Sequence, residues 1–288
     1  MPGLGTTSEG MKRMGVLDDK VANITGAGRG IGRATAELLA SQGATVVVND
    51  LDGDAAKEAQ DALPTDGTTH SGDLTKPGVP DELVTTAIDA FGKIDIIINN
   101  AGYTLDAPVH KMSDDWFQRM LDIHLVVPFR VVRAAAPYLR EPAKQEREQG
   151  VEVFRKIVNV SSTSGTFGNA GQANYSSAKL GVVGLTKTLA KEWGQFKINV
   201  NAVAFGFVDT RLTQAKVGEN TMEIDGDSVQ LGIPEQMRGM ASMMIPVGRP
   251  ATPQEAAGPV FFLTTPWANY VHGQTLHITG GMFGGMTG

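Results

Sequence analysis

The eight residues TGAGRGIG (25–32) constrain this chain more than any other stretch. They place Gly26, Gly28, Gly30 and Gly32 between a short apolar run, VANIT (21–25), and a run with helical spacing, IGRATAELLASQG (31–43). The pattern is T-G-x-x-x-G-x-G rather than G-x-G-x-x-G, because position 31 is Ile. A Gly-rich turn between a strand and a helix opens a βαβ unit. Without side chains the backbone can approach a pyrophosphate, and the helix N-terminus favours its negative charge.

The same rhythm runs on. ATVVVND (44–50), THSGDLT (69–75), KIDIIINNAG (93–102), KIVNVSS (156–162), KINVNAVAFG (197–206) and QTLHITGG (274–281) read as strands. LDGDAAKEAQDAL (51–63), DELVTTAIDAFG (81–92), ANYSSAKLGVVGLTKTLAKEWG (173–194) and TPQEAAGPVFFLTT (252–265) have helical spacing. Residues 113–140 read as one long helix or a bent pair, with Ser113 as N-cap and a bend at Pro128. Continuous apolar strands alternating with helices predict an α/β fold, a parallel sheet covered on both faces. Residues 1–17 read as a mobile tail and 18–288 as a single domain. Within it, 141–155 looks like a charged, solvated insertion. The irregular stretch 211–251 reads as a lid carrying Leu212, Met222, Ile224, Leu231, Ile233, Met237, Met240, Met243 and Met244.

Composition narrows the chemistry. With no Cys there is no disulfide, thiolate ligand or thiol nucleophile, and five scattered His make no zinc site, so no metal is expected. A net charge of −6 argues against nucleic acid. No apolar run is long enough for a membrane span, and the first residues lack the apolar core of a signal peptide, so a cytoplasmic enzyme is expected. Asp50 stands 24 residues after Gly26 at a strand end, where a carboxylate accepts from ribose hydroxyls and repels a 2′-phosphate. Arg29 argues the other way. Direct repulsion at the ribose outweighs it, so NAD(H) is the expected cofactor and NADP(H) the alternative.

Tyr175 and Lys179, at i and i+4, share one helix face. A Lys ammonium beside a phenol stabilises the phenolate and lowers a pKa that is ordinarily about 10. Thr25 and its glycines, then NNAG (99–102), then Ser162 in NVSSTSG, then Tyr175 and Lys179 occur in that order. In this combination the chain resembles the short-chain dehydrogenase/reductase family over about residues 18–281. The resemblance implies a doubly wound Rossmann-type domain with a seven-stranded parallel sheet, in a homotetramer. It implies Tyr175 as general acid/base, Lys179 lowering its pKa and holding the nicotinamide ribose, and Ser162 orienting the substrate oxygen. Ser162 is chosen over Ser161 because the family's usual interval of thirteen residues separates it from Tyr175. Asp73 would contact adenine. Asn100, Ala101 and Gly102 would floor the adenosine ribose, and Val208 and Thr210 would meet the carboxamide. Ile31, Leu51, Leu74 and Gly206 complete the expected cofactor contacts.

Three positions depart from that pattern. His124 replaces an Asn of the proton relay, where it either keeps the relay or is a core histidine satisfied by a carbonyl. Phe205 replaces the Pro of a Pro-Gly turn, and Asn23 sits in an apolar strand. The segment around Tyr175 is similar to 3-oxoacyl-thioester reductases, so the expected reaction interconverts a secondary alcohol and a small-molecule ketone. A hydroxysteroid or cyclic alcohol is the alternative substrate, and an inactive dinucleotide-binding regulator the alternative of another class. Arg130, Arg133, Arg140, Lys144 and Arg147 could face an acyl carrier protein, but Glu141, Glu146 and Glu148 interrupt them, which disfavours that docking.

Overall fold

The computed structural model describes residues 15–214, 221–224, 227–233 and 235–283. The strands are β1 (Val21–Ile24), β2 (Thr45–Asp50), β3 (Gly67–Ser71), β4 (Ile96–Asn99), β5 (Arg155–Ser162), β6 (Ile198–Phe205), β7 (Thr221–Ile224), β8 (Asp227–Gln230) and β9 (Thr275–Ile278). The helices are α1 (Gly30–Ser41), α2 (Gly53–Asp61), α3 (Val79–Phe91), α4 (Asp114–Leu121), α5 (Val127–Glu148), α6 (Thr163–Phe167), α7 (Ala173–Trp193), α8 (Glu235–Met244) and α9 (Pro253–Thr264).

Seven strands form one parallel sheet in the order β3-β2-β1-β4-β5-β6-β9, and β7 and β8 form a separate antiparallel pair. This is the doubly wound Rossmann-type architecture. The central strands read as unbroken apolar runs because helices bury both faces. Val47, Ile97, Ile157 and Val200 pack against α3, α5 and α7; Ile24, Val46, Ile98 and Val203 pack against α1 and α9. The strand order reverses between β1 and β4, and such a switch point opens a crevice at the strands' C-terminal ends.

Several local expectations change. Packed structure reaches back before residue 18: Leu17 is buried and its N–H donates to the Gln42 carbonyl at 2.9 Å. Residues 1–14 of the expected tail lie outside the described residues. The bend expected at Pro128 is a π-helical turn over Asp122–Val126, which carries the chain from α4 directly into α5. Pro128 has no N–H for the carbonyl of His124, so the ordinary ladder must widen there. The charged stretch 141–155 is largely exposed, but it is not a separate insertion. Its first half is the end of α5, where Lys144 pairs with Glu141 one turn away, and the buried Arg155 makes two 2.7 Å bonds to Glu146. Asn23 is fully buried in β1, with neither amide atom partnered among the described residues, and nothing in the structure explains it.

Candidate active site

A cleft of ≈ 1130 Å³ opens at the C-terminal ends of the strands and runs from Asp50 and Asp73 past Ser162, Tyr175 and Lys179 to Leu231 and Phe283. Of the residues expected from the sequence to contact a cofactor, Gly26, Arg29, Gly30, Ile31, Leu51, Leu74, Asn100, Ala101, Gly102, Gly206, Val208 and Thr210 also line it.

Thr25, Gly28 and Gly32 sit behind this wall and shape it. The Thr25 hydroxyl accepts from the N–H groups of Asn100 and Ala101, both at 3.0 Å. The Asn100 amide donates to the carbonyls of Thr25 and Gly26, so it ties the Gly-rich loop to β4. Gly26 has φ +62°, and a Cβ there would lie 2.7 Å from the Cα of Ala101.

The loop fits a dinucleotide. α2, α4 and α9 each begin with a side-chain cap from Asp52, Ser113 or Thr252, whereas Arg29 at the start of α1 provides none. α3 and α7 also start uncapped, but the first two residues of α1, Gly30 and Ile31, line the cleft, where free N–H groups favour an anion. Asp50 accepts from the N–H of Gly28 at 2.9 Å and of Asp52 at 3.1 Å, which fixes its carboxylate at the mouth. Arg29 is drawn onto Asp52 at 2.8 Å. Asp73 is held by the N–H and hydroxyl of Thr75.

β5 delivers Ser162 and α7 delivers Tyr175 and Lys179. The two serines are used differently: the Ser161 hydroxyl donates to the Lys179 carbonyl at 2.7 Å, while Ser162 acts on the Tyr175 phenol to lower its pKa. Ser162 also caps α6 by accepting from the Ser164 N–H at 3.1 Å. The Lys179 ammonium donates to the Val160 carbonyl at 2.7 Å and lies 5.6 Å from the centre of the Tyr175 ring. Burial pulls Lys179 down to about 7. Burial also pushes Tyr175 up to about 12, with the Ser162 bond opposing and Asp106 adding to the rise. Burial is the leading cause for both groups, so in the protein alone the Tyr175 pKa lies above its ordinary value and not below it as expected.

His124 is buried in the π-helical turn, its ring edge-on to Tyr175 with centroids 4.9 Å apart. Its Nε2 lies 2.7 Å from the Tyr103 carbonyl. Burial first, and then the nearby Lys179, hold its pKa well below the ordinary value. A carbonyl only accepts, so Nε2 carries the proton, and the buried Nδ1 is an acceptor with no protein partner among the described residues. Gly102 makes room for this ring: a Cβ there would lie 2.1 Å from His124 Cε1. We expect Gly102→Ala to lower stability by about 1–3 kcal/mol through overpacking, and His124→Ala in the same chain to restore most of it. Urea unfolding of the double-mutant cycle checks this; additive effects would show that the two positions are not coupled.

Other side chains in the cleft escaped the sequence reading, among them Asn49, Asp106, Asn169, Gln172 and Phe283. Gln172, one turn before Tyr175, was within reach of helical spacing; Asp106 had no such signal. Phe205 lines the cleft and carries β6 to its last register pair with Ile278. Of the lid residues, Leu212, Leu231 and Ile233 line the cleft, but Met240, Met243 and Met244 are exposed. The side chains of Met222, Ile224 and Met237 lie outside the described residues.

A family model described as enoyl-(acyl carrier protein) reductase matches residues 26–283. The 3-oxoacyl-(acyl-carrier-protein) reductase of Vibrio cholerae is 37% identical over 267 residues, covering 93% of this chain and 98% of that protein. The enzyme of the same name from Thermotoga maritima is 36% identical over 270 residues, covering 92% and 98%. That of Escherichia coli is 35% identical over 267 residues, covering 93% and 98%.

Proposed function

The chain belongs to the short-chain dehydrogenase/reductase family of NAD(P)-dependent oxidoreductases, and from that premise we propose that it interconverts a 3-oxoacyl thioester and its 3-hydroxy form. The observation that carries this reading is the meeting of Ser162, Tyr175 and Lys179 in a cleft also lined by the apolar Leu212, Leu231, Ile233 and Phe283.

In this reading the Tyr175 phenol gives its proton to the ketone oxygen and takes it back in the reverse direction. Ser162, which lines the cleft with Tyr175, orients that oxygen through its hydroxyl. Lys179 holds a ribose hydroxyl and keeps a cation near the phenol. His124 braces the Tyr175 ring and offers Nδ1 as the acceptor that the family's usual Asn supplies. Gly30, Ile31, Asp50, Asp73, Ala101, Val208 and Thr210 would hold the dinucleotide; bound there, its nicotinamide exchanges a hydride with the substrate carbon.

NAD(H) is the preferred cofactor in this reading. Asp50 brings a carboxylate to the end of the cleft expected to take the ribose, and Arg29 is already paired with Asp52. The thioester is carried by a small group such as coenzyme A rather than docked as an acyl carrier protein. The cations of α5 are engaged within the fold: Arg130 donates to the Thr75 carbonyl, Arg147 to Gln195, and Arg140 lies over Trp193 and Phe196. Self-association as a homotetramer is supported by apolar side chains left exposed, Trp116, Phe117 and Phe129 on one side and Phe262, Trp267 and Tyr270 on another.

The test is a panel of 3-oxoacyl-CoA, 3-oxoacyl carrier protein, steroid and cyclic ketones, each with NADH and NADPH. We expect the highest kcat/KM for 3-oxoacyl-CoA with NADH, at least about tenfold above NADPH, the scale of one well-placed charge. Turnover confined to steroid or cyclic ketones would overturn the substrate class, and an NADPH preference would overturn the role given to Asp50.

A further inference from the structure

The loop after β4 and the loop before α7 meet beside Tyr175. The Ala107 N–H donates to the Gly171 carbonyl at 2.9 Å, which stitches the two together. Gln172 stands at the start of α7 but makes no side-chain cap to its own helix. Its amide instead donates to Asp106 Oδ2 at 2.9 Å, while its Oε1 accepts from the Asn169 amide at 3.0 Å. Gln172 is buried, and all three residues line the cleft.

The direction of these bonds is informative. Each amide donates toward the next acceptor, and the relay ends on the Asp106 carboxylate. Ionised carboxylates only accept. A substrate group gains at this edge by donating a hydrogen bond, and an anionic group meets a like charge. The apolar wall of Leu212, Leu231 and Ile233 contributes to the same cleft.

We infer that Asp106, oriented by Gln172 and Asn169, is a specificity-determining acceptor for an N–H or O–H donor carried by the substrate beyond its reacting ketone. The inference rests on the thioester reading above and extends it. A 3-oxoacyl thioester built on a pantetheine-type arm has an alkyl chain on one side of the ketone and, past the sulfur, an amide N–H on the other. The alkyl chain suits the apolar wall and the amide suits Asp106.

The experiment uses the same 3-oxoacid as three thioesters: of N-acetylcysteamine, which carries the amide N–H; of 2-mercaptoethanol, which carries a hydroxyl; and of butanethiol, which carries no donor. Steady-state kinetics are measured on the full chain and on Asp106→Ala and Asp106→Asn. The unmodified chain is expected to prefer the N-acetylcysteamine over the butyl thioester by about tenfold in kcat/KM, the scale of one hydrogen bond to a charged group. Asp106→Ala is expected to bring that preference within about twofold, through KM rather than kcat, as loss of uniform binding requires. Asp106→Asn, which keeps a neutral acceptor, retains part of it. A merely structural role would lower all three substrates together. A stronger preference for the hydroxyethyl thioester identifies the donor as a hydroxyl. A wild-type preference within twofold, or one that survives Asp106→Ala, overturns the inference. Failure to reduce any of the three overturns the thioester reading itself, and the inference with it.

Discussion

Tyr175→Phe is expected to lower kcat by about 10³-fold or more while NADH still binds, because positioned acid–base catalysis is worth roughly 10²–10⁴-fold. The substitution removes one oxygen and keeps the ring, which packs against the apolar core and edge-on to His124. The fold and the dinucleotide loop lie outside its reach. Fluorescence titration with NADH separates binding from turnover. The effect stays large because the remaining hydroxyl, Ser162, has an alcohol's acidity and also caps α6. Residual turnover within tenfold of the unmodified enzyme would remove Tyr175 from the acid–base role.

Lys179→Met is expected to abolish turnover and, at neutral pH, to make the protein more stable. Lys179 is buried, its ammonium meets the Val160 carbonyl, and burial alone is the cause that pulls its pKa to about 7. Each unit of displacement corresponds to about 1.4 kcal/mol, so holding the charged form inside costs several kcal/mol below that pH. Met fills similar space without charge and leaves one carbonyl unpaired, which returns about 1–3 kcal/mol. The net is a rise in Tm of roughly 3–6 °C for a chain of this size.

The pH dependence supplies the sign. The unfolded lysine keeps its proton up to its ordinary pKa, while the folded one releases it near 7, so between those values the unfolded state binds more protons. The stability of the unmodified protein therefore rises with pH through that window. Lys156, buried and pulled down to about 8, acts in the same direction. The advantage of Lys179→Met is full below about pH 7 and fades toward pH 10. Thermal unfolding from pH 6 to 10 checks both statements. A Tm below that of the unmodified protein at pH 6–7 would show that the ammonium is held at no cost.

These expectations also show where sequence reading stops. The alternation of apolar strands with helical runs was sufficient for the parallel sheet, because burial on both faces leaves a continuous apolar signature. The Gly-rich turn between β1 and α1 and the placing of Tyr175 and Lys179 on one face of α7 were legible because each depends on spacing within one element or on an ordered set of motifs. The helical end of α5 was not legible, because its dense mixed charge reads as a loop until Arg155 returns on β5 to meet Glu146.

Spacing along the chain determined the elements and which residue faces which side of each. Tertiary structure alone decided what those faces meet. Asp106 reaches Gln172, and Gly102 accommodates His124, only because the loop after β4 is brought against α7 and the π-helical turn. It also reversed the sign expected for Tyr175. A neighbouring cation is visible in the sequence, but the loss of solvent around the phenol is not, and desolvation is the largest cause of the shift at Tyr175.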